Sequence, residues 1–251
     1  MARRPLLALL LLLRGALLLD LNPPVHSDPA FIRKTLADHN ALRAEVSPEA
    51  SDMRYMTWDP SLAITASEWA KKCTLSPNEH LDQVGMAHPR FRTTGENIWV
   101  GNAGSELSFT EHFAAEAKYY DYSKNECVDS CRQYTQVVRA ETFKVGCAVH
   151  FCPAIEHYTF GYYKKIVVCN YAPAGDYSKK PYTTGEPCSK CDPDDICVDR
   201  LCRNADRDVI RYYSGWLPEW MDSDVLRSGI RSNLCSALNQ LLPFLIVLFL
   251  L

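Results

Sequence analysis

The sequence predicts an α+β fold. Helix signals fill the first part of the chain, opening at the capping pairs Asp28-Pro29 and Asp59-Pro60. The apolar period then changes from helical to alternating at residues 145–151. No regular strand–helix–strand alternation joins the two regions, so helices should layer on a sheet rather than wind through it.

In the first helix, the Asp28 carboxylate caps free N–H groups and Pro29 occupies the first position, where its missing N–H costs nothing. Ile32, Leu36 and His39 fall on one face. Behind Asp59-Pro60, the residues Leu62, Ala66, Trp69, Ala70 and Cys73 follow i, i+4, i+7, i+8, i+11, which predicts an amphipathic helix with a cysteine on its buried side. A third helix is expected from Ser108 or Thr110, carrying Phe113, Glu116, Ala117 and Tyr120. Val145, Cys147, Val149 and Phe151 then alternate as in a half-buried strand. Residues 158–171 form an aromatic and β-branched run that ends at a turn, Pro173–Gly175.

Composition bounds the setting. The 251 residues carry 27 basic and 30 acidic side chains, a balance that excludes the basic face of a nucleic-acid protein. Eleven cysteines point to a disulfide-permissive compartment. Residues 1–27 begin with Arg3 and Arg4 and a leucine-rich run split by Arg14, the form of a secretory signal peptide, with cleavage expected within Asp20–Ser27. Its removal leaves 24 basic against 29 acidic groups and moves the net charge from −3 to −5.

The C-terminal tail, 235–251, ends in Leu241–Leu251, apolar except for Pro243. Eleven helical residues rise only about 16 Å, roughly half a hydrocarbon core. An apolar tail behind a polar spacer is the form of a GPI-attachment signal, and Ser228 and Gly229 or, with a shorter spacer, Ser232 and Asn233 are the candidate attachment residues. A membrane-spanning C-terminal helix and a chain with no membrane link are the alternatives. Residues 204–234, polar with Trp216 and Trp220, read as a stalk or linker. Before them, residues 186–203 hold Cys188, Cys191, Cys197 and Cys202, too short a segment to bury a core and expected to be fixed by disulfides rather than by a zinc knuckle.

Five stretches together carry a family resemblance: His39-Asn40-Ala41-Leu42-Arg43, Gly95-Glu96-Asn97-Ile98-Trp99, Tyr134-Thr135-Gln136-Val137-Val138, Val145-Gly146-Cys147-Ala148-Val149 and Cys169-Asn170-Tyr171-Ala172-Pro173-Ala174-Gly175. Residues 28–175 resemble a CAP domain, the family of cysteine-rich secretory proteins, antigen 5 and plant pathogenesis-related proteins. The signal peptide, four-cysteine segment and apolar tail are similar to the glioma-pathogenesis-related branch and its sperm-surface members. The resemblance implies a three-layer α-β-α sandwich followed by a small disulfide-stapled extension. It also implies the pairs Cys73–Cys152, Cys127–Cys131, Cys147–Cys169, Cys188–Cys197 and Cys191–Cys202, which leaves Cys235 over.

CAP domains with a full cleft place two histidines and two glutamates around a cavity where some bind a divalent metal. The resemblance puts the carboxylates at Glu96 and Glu116. Pro77 and Gln133 stand where the histidines would be, and Arg139 replaces a tryptophan, where it is expected to pair with Glu116. Transition metals favour imidazole, so no metal and no other cofactor is expected. His80, His88 and His112 are the remaining candidates for a rewired ligand set, but no His-Glu-x-x-His spacing supports them. His39 reads as a satisfied core histidine rather than a general base.

No catalytic residue is predicted: the chain lacks a Gly-x-Ser-x-Gly elbow, a phosphate loop and a free ectodomain thiol. Asn-x-Ser/Thr is absent, so N-glycosylation is not expected. The expectation is a non-enzymatic cell-surface protein that binds an extracellular or cell-surface partner, on the egg by analogy with the branch, with membrane contact through its C-terminal anchor and no nucleic-acid partner. A sterol- or lipid-binding protein and a metal-dependent hydrolase are the alternatives. Tyr119, Tyr120, Tyr122, Tyr158, Tyr162 and Tyr163 offer contact area, set against ordinary packing.

Overall fold

The structure is a computed structural model that describes residues 25–155 and 164–221. Residues 1–24 of the expected leader, Tyr158, Tyr162, Tyr163, the attachment candidates Ser228, Gly229, Ser232 and Asn233, and the apolar tail lie outside the described residues. No helix among the described residues is long and apolar enough to cross a membrane.

Both capping pairs start helices. Asp28 accepts the N–H of Ala30 at 2.6 Å and opens α1 (Pro29–Ala44), while Asp59 accepts those of Ser61 and Leu62 at 2.8 and 3.1 Å and opens α2 (Pro60–Ala70). The α2 helix stops before Cys73, which adopts a left-handed φ of 52° and joins the far end of a strand by a disulfide. The buried stripe of α1 differs from the apolar pattern. Phe31, Thr35, His39, Asn40 and Arg43 are buried, whereas Ile32 and Leu36 sit at the edge of the core. The buried His39, Asn40 and Arg43 are tolerated because each has internal partners. Arg43 donates to the carbonyls of Arg54, Val137, Arg139 and Thr142, and Asn40 bonds both backbone groups of Met56.

The central sheet has the order β1-β5-β6-β2, from β1 (Thr57–Trp58), β2 (Gly95–Asn102), β5 (Lys144–Cys152) and β6 (Lys164–Ala172). The β1–β5 pair is parallel and the others antiparallel, with Cys147 opposite Cys169 and Glu96 opposite Asn170. A hairpin of β3 (Tyr120–Asp121) and β4 (Glu126–Cys127) lies between α3 (Phe109–Ala115) and α4 (Arg132–Val137) in the chain. A 3-10 turn, Glu116–Tyr119, follows α3 where a continuous helix was expected.

Helices cover both faces of the sheet. Phe31, Phe109, Phe113, Tyr134 and Val137 from α1, α3 and α4 pack with Val145, Cys147, Val149 and Val167 on one side. Ala66, Trp69 and Ala70 of α2 pack with Ala148, Cys152, Ile166 and Val168 on the other. The molecule is a three-layer α-β-α sandwich. β5 is therefore not half-buried as its alternation suggested; large residues alternate with small ones. The α2 backbone comes so close that a side chain at Gly146 would overlap the nitrogen of Ala63.

Five disulfides join Cys73 to Cys152, Cys127 to Cys131, Cys147 to Cys169, Cys188 to Cys197 and Cys191 to Cys202. The last two staple a small extension with strands β7 (Ile196–Val198) and β8 (Leu201–Arg203). It is fixed to the sandwich as well: Cys202 donates its N–H to Met53 and accepts that of Tyr55, and Leu201 enters the core.

Residues 204–221, expected to begin a stalk, instead lie along the domain. Trp220 stacks on His80 with centroids 5.3 Å apart, meets Trp69 edge-on at 5.8 Å and donates its indole N–H to Met86 at 3.1 Å. A spacer needs no such aromatic anchors; two tryptophans in a polar run are better read as packing residues.

Candidate functional site

Pro77, Glu96 and Gln133 line one cavity of about 480 Å³ beside the first residues of β2, together with Asn78, Arg132 and Tyr177. Strand β2 positions Glu96, whose Oε1 accepts the Asn78 N–H at 2.9 Å while the buried Oε2 has no hydrogen-bond partner among the described residues. Burial pushes this carboxyl up from about 4.5 to about 7, against the opposing effect of the Asn78 N–H.

Glu116 does not line that cavity. It follows α3 and turns its carboxylate to the start of α4, where Oε2 accepts the N–H groups of Gln133 and Tyr134 at 2.8 and 3.1 Å. Oε1 accepts the Gln133 amide at 3.2 Å and the Ser130 hydroxyl at 3.4 Å. Cys131, at the cap position, makes no side-chain cap bond, so Glu116 serves orphan donors that α4 would otherwise leave open. Gln133 thus stands between the two carboxylates, bonded to one and sharing a cavity with the other.

The expected Glu116–Arg139 pair is not formed. Arg139 donates to the Asp176 carbonyl at 2.8 Å and lies over the Tyr177 ring, because the four donors around Glu116 already occupy its oxygens. Tyr122 packs at the core edge and donates to the Tyr182 carbonyl at 2.6 Å, and Tyr120 also packs there, donating to Asn125 at 2.7 Å.

Among the described residues, no histidine lines the cleft. His39 is fully buried: Nδ1–H donates to the Thr35 carbonyl at 2.7 Å, so Nε2 accepts the Tyr171 hydroxyl at 3.0 Å. Burial lowers its pKa to about 4, which keeps the ring neutral. His112 is exposed on α3 while Glu116 is buried, and His80 is taken up by Trp220.

His88 is the residue whose role the linear pattern hides. Its Nδ1 accepts the N–H groups of Arg90 and Phe91 at 3.0 and 3.1 Å, so Nε2–H donates to the Asp59 carboxylate at 3.2 Å. Both side chains are buried. Asp59 was legible only as a helix cap; 29 residues separate it from His88, and no local signal joins them.

Among the described residues, one trio of ligand-type atoms is close enough to share an ion: Cys191, Asp195 and Cys202. The two sulfurs are bonded to each other and Asp195 pairs with Arg207 at 2.9 Å, so this trio is structural.

Comparison with known proteins agrees with this architecture. Residues 36–171 match the model of the cysteine-rich secretory protein family, CAP. GLIPR1-like protein 1 of Bos taurus is 43% identical over 198 residues, covering 78% of this chain and 80% of that protein. Glioma pathogenesis-related protein 1 of Mus musculus is 42% identical over 193 residues, covering 76% and 71%. The crystal structure of NaASP2 with Zn2+ superposes with a TM-score of 0.51 at 28% identity, covering 68% of this chain and 94% of that one. A sandwich with this sheet, a family match over most of its length and relatives of this similarity place the chain in the cysteine-rich secretory protein (CAP) family, in its glioma-pathogenesis-related branch.

Proposed function

We propose that this chain is a secreted, cell-surface CAP protein that acts without catalysis, by binding a partner on another cell, with gamete recognition as the setting its branch suggests. The observation that carries the reading is the state of the cleft carboxylates. Glu116 is consumed by four hydrogen bonds at the start of α4, and neither Pro77 nor Gln133 supplies an imidazole. NaASP2 is a zinc-containing relative, but a single part-buried carboxyl with a pKa near 7 is a poor donor set for that ion. Glu96 has a value suited to a general base, but among the described residues no hydroxyl or thiol is hydrogen-bonded to it, which speaks against a base-activated nucleophile. The leader-like start, the five disulfides and the apolar tail favour an outer-surface location.

The test applies the fluorescently labelled, secreted protein to eggs and to somatic cells, with and without EDTA. Saturable egg binding that EDTA leaves intact is the expected result. No preference for eggs would remove the recognition role, and loss of binding in EDTA would return a metal to the cleft.

A second reading, carriage of a sterol or lipid, has one observation in its favour. Ala30, Phe31, Thr35, Leu107 and Phe109 line an apolar groove of about 270 Å³ at the start of α1. That volume lies just below the range of about 300–1,000 Å³ usual for small-molecule sites, so the groove suits an acyl segment better than a sterol nucleus. Tritiated cholesterol and tritiated palmitate offered to the purified protein separate the two.

A further inference from the structure

A second cavity, of about 340 Å³, lies where residues 206–213 cross the sandwich, away from the cleft. One wall comes from the domain and the other from the segment beyond the family match, so the site exists only while that segment is docked.

The lining is cationic on a protein of net charge −3. Arg90, Lys144, Arg207 and Arg211 face Asp59 and Asp206 across it. Asp59 is already engaged by the α2 cap and by His88, and Arg207 by Asp195. Among the described residues, Arg90, Arg211 and Lys144 have no carboxylate within ion-pair distance. Lys144 is 5% exposed, and its ammonium donates to the Thr57 hydroxyl and the Val209 carbonyl, both at 2.8 Å. Two of its three donors are thereby used by neutral acceptors and one remains. Burial lowers the Lys144 pKa, the more distant Asp59 and Asp208 oppose this, and Arg211 and Arg207 add like charge.

The remaining walls are aromatic. Phe91 meets Phe143 edge-on at 5.9 Å, and Tyr213 stands with its ring 5.5 Å from His88. The loop bearing Arg90 and Phe91 is set by the two N–H groups that His88 accepts, and His88 is set by Asp59. The Arg90–Phe91 backbone and the Lys144 ammonium are therefore held in place before any ligand arrives, which lowers the ordering cost of binding, while the exposed Arg90 and Arg211 side chains close on the ligand.

We propose that this cavity binds an anionic sugar: one saccharide unit bearing a sulfate ester, its oxyanion held by Arg90, Arg211 and the free N–H of Lys144 and its ring against Phe91 and Tyr213. Convergent cations select the oxyanion. The mixed polar and aromatic lining suits a ring with one apolar face, and the volume admits one or two rings rather than a polymer. This inference does not depend on the state of the cleft.

Calorimetric titration of the secreted protein with a sulfated disaccharide, its unsulfated counterpart and inorganic sulfate tests the proposal. The sulfated sugar should bind at least about tenfold more tightly than either control and weaken as salt rises from about 50 to about 200 mM. Arg90→Ser with Arg211→Ser should weaken it by about tenfold or more, because both arginines are exposed and charge-assisted contacts are lost. Lys118→Ser with Lys124→Ser, two exposed lysines elsewhere, should change nothing. Arg211→Gln alone, which removes no hydrogen bond within the described residues, keeps the test available if the double variant fails to fold. Equal binding of the unsulfated sugar, equal binding of inorganic sulfate, or an unchanged Arg211→Gln variant would each overturn the proposal.

Discussion

Glu96 on the edge strand β2 and His39 on α1 carry opposite pH behaviour. The folded protein holds a proton on Glu96 up to about pH 7, whereas the unfolded chain releases it near 4.5, so this group lowers stability as pH rises through that window. His39 works the other way: its folded value of about 4 lies below the ordinary 6.5, so stability is lost as pH falls from 6.5 toward 4. The two slopes largely oppose each other. Glu96→Gln removes one of them. The variant should match the parent at about pH 4 and exceed it at pH 8 by roughly 1–3 kcal/mol in urea unfolding, a range that allows for partial solvent access. An identical difference at both pH values would show that Glu96 carries no shifted proton. At this scale the sequence was partly legible. The family resemblance located Glu96 and Glu116, but the use of Glu116 as a helix cap depends on the turn after α3, which residue type does not reveal.

At the scale of elements, local chemistry spoke clearly where partners are adjacent. Asp28 and Asp59 cap within three residues, and both helix starts were readable from the chain. It failed where partners are remote. Asn40 and Arg43 of α1 look solvent-facing until the Met56 backbone and the carbonyls of residues 137–142 are brought to them, whereas His39 was legible as a core residue. Residues 204–221 looked like a spacer because Trp220 finds Trp69, His80 and Met86 more than a hundred positions away. That contact is open to measurement. Trp220→Ala should cost roughly 1–2 kcal/mol of local stability, less than a full core truncation because the indole is only partly buried. Hydrogen exchange should then accelerate across 206–221 and stay unchanged in β5 and β6. Unaltered protection of 206–221 would mean that Tyr213 and Trp216 hold the segment by themselves.

The whole molecule combines a doubly covered sheet with five cross-links, and the two small-strand units depend on those links more than the sandwich does. Fold class was readable from helices preceding strands, and the sandwich followed from the resemblance rather than from periodicity, since small residues facing α2 disguise a strand buried on both faces over residues 144–149 as a half-buried one. Function at this scale rests on the cleft. We propose that Pro77 and Gln133 stand where the family's metal-binding histidines would be; with Glu116 spent on α4, such a cleft would hold a surface in place for a partner rather than activate water. Calorimetric titration of the secreted protein with zinc, beside a Pro77→His, Gln133→His double variant, tests that claim most directly. The account predicts no saturable heat from the parent and one-to-one binding by the double variant. Stoichiometric zinc uptake by the parent that Glu96→Gln with Glu116→Gln abolishes would contradict it.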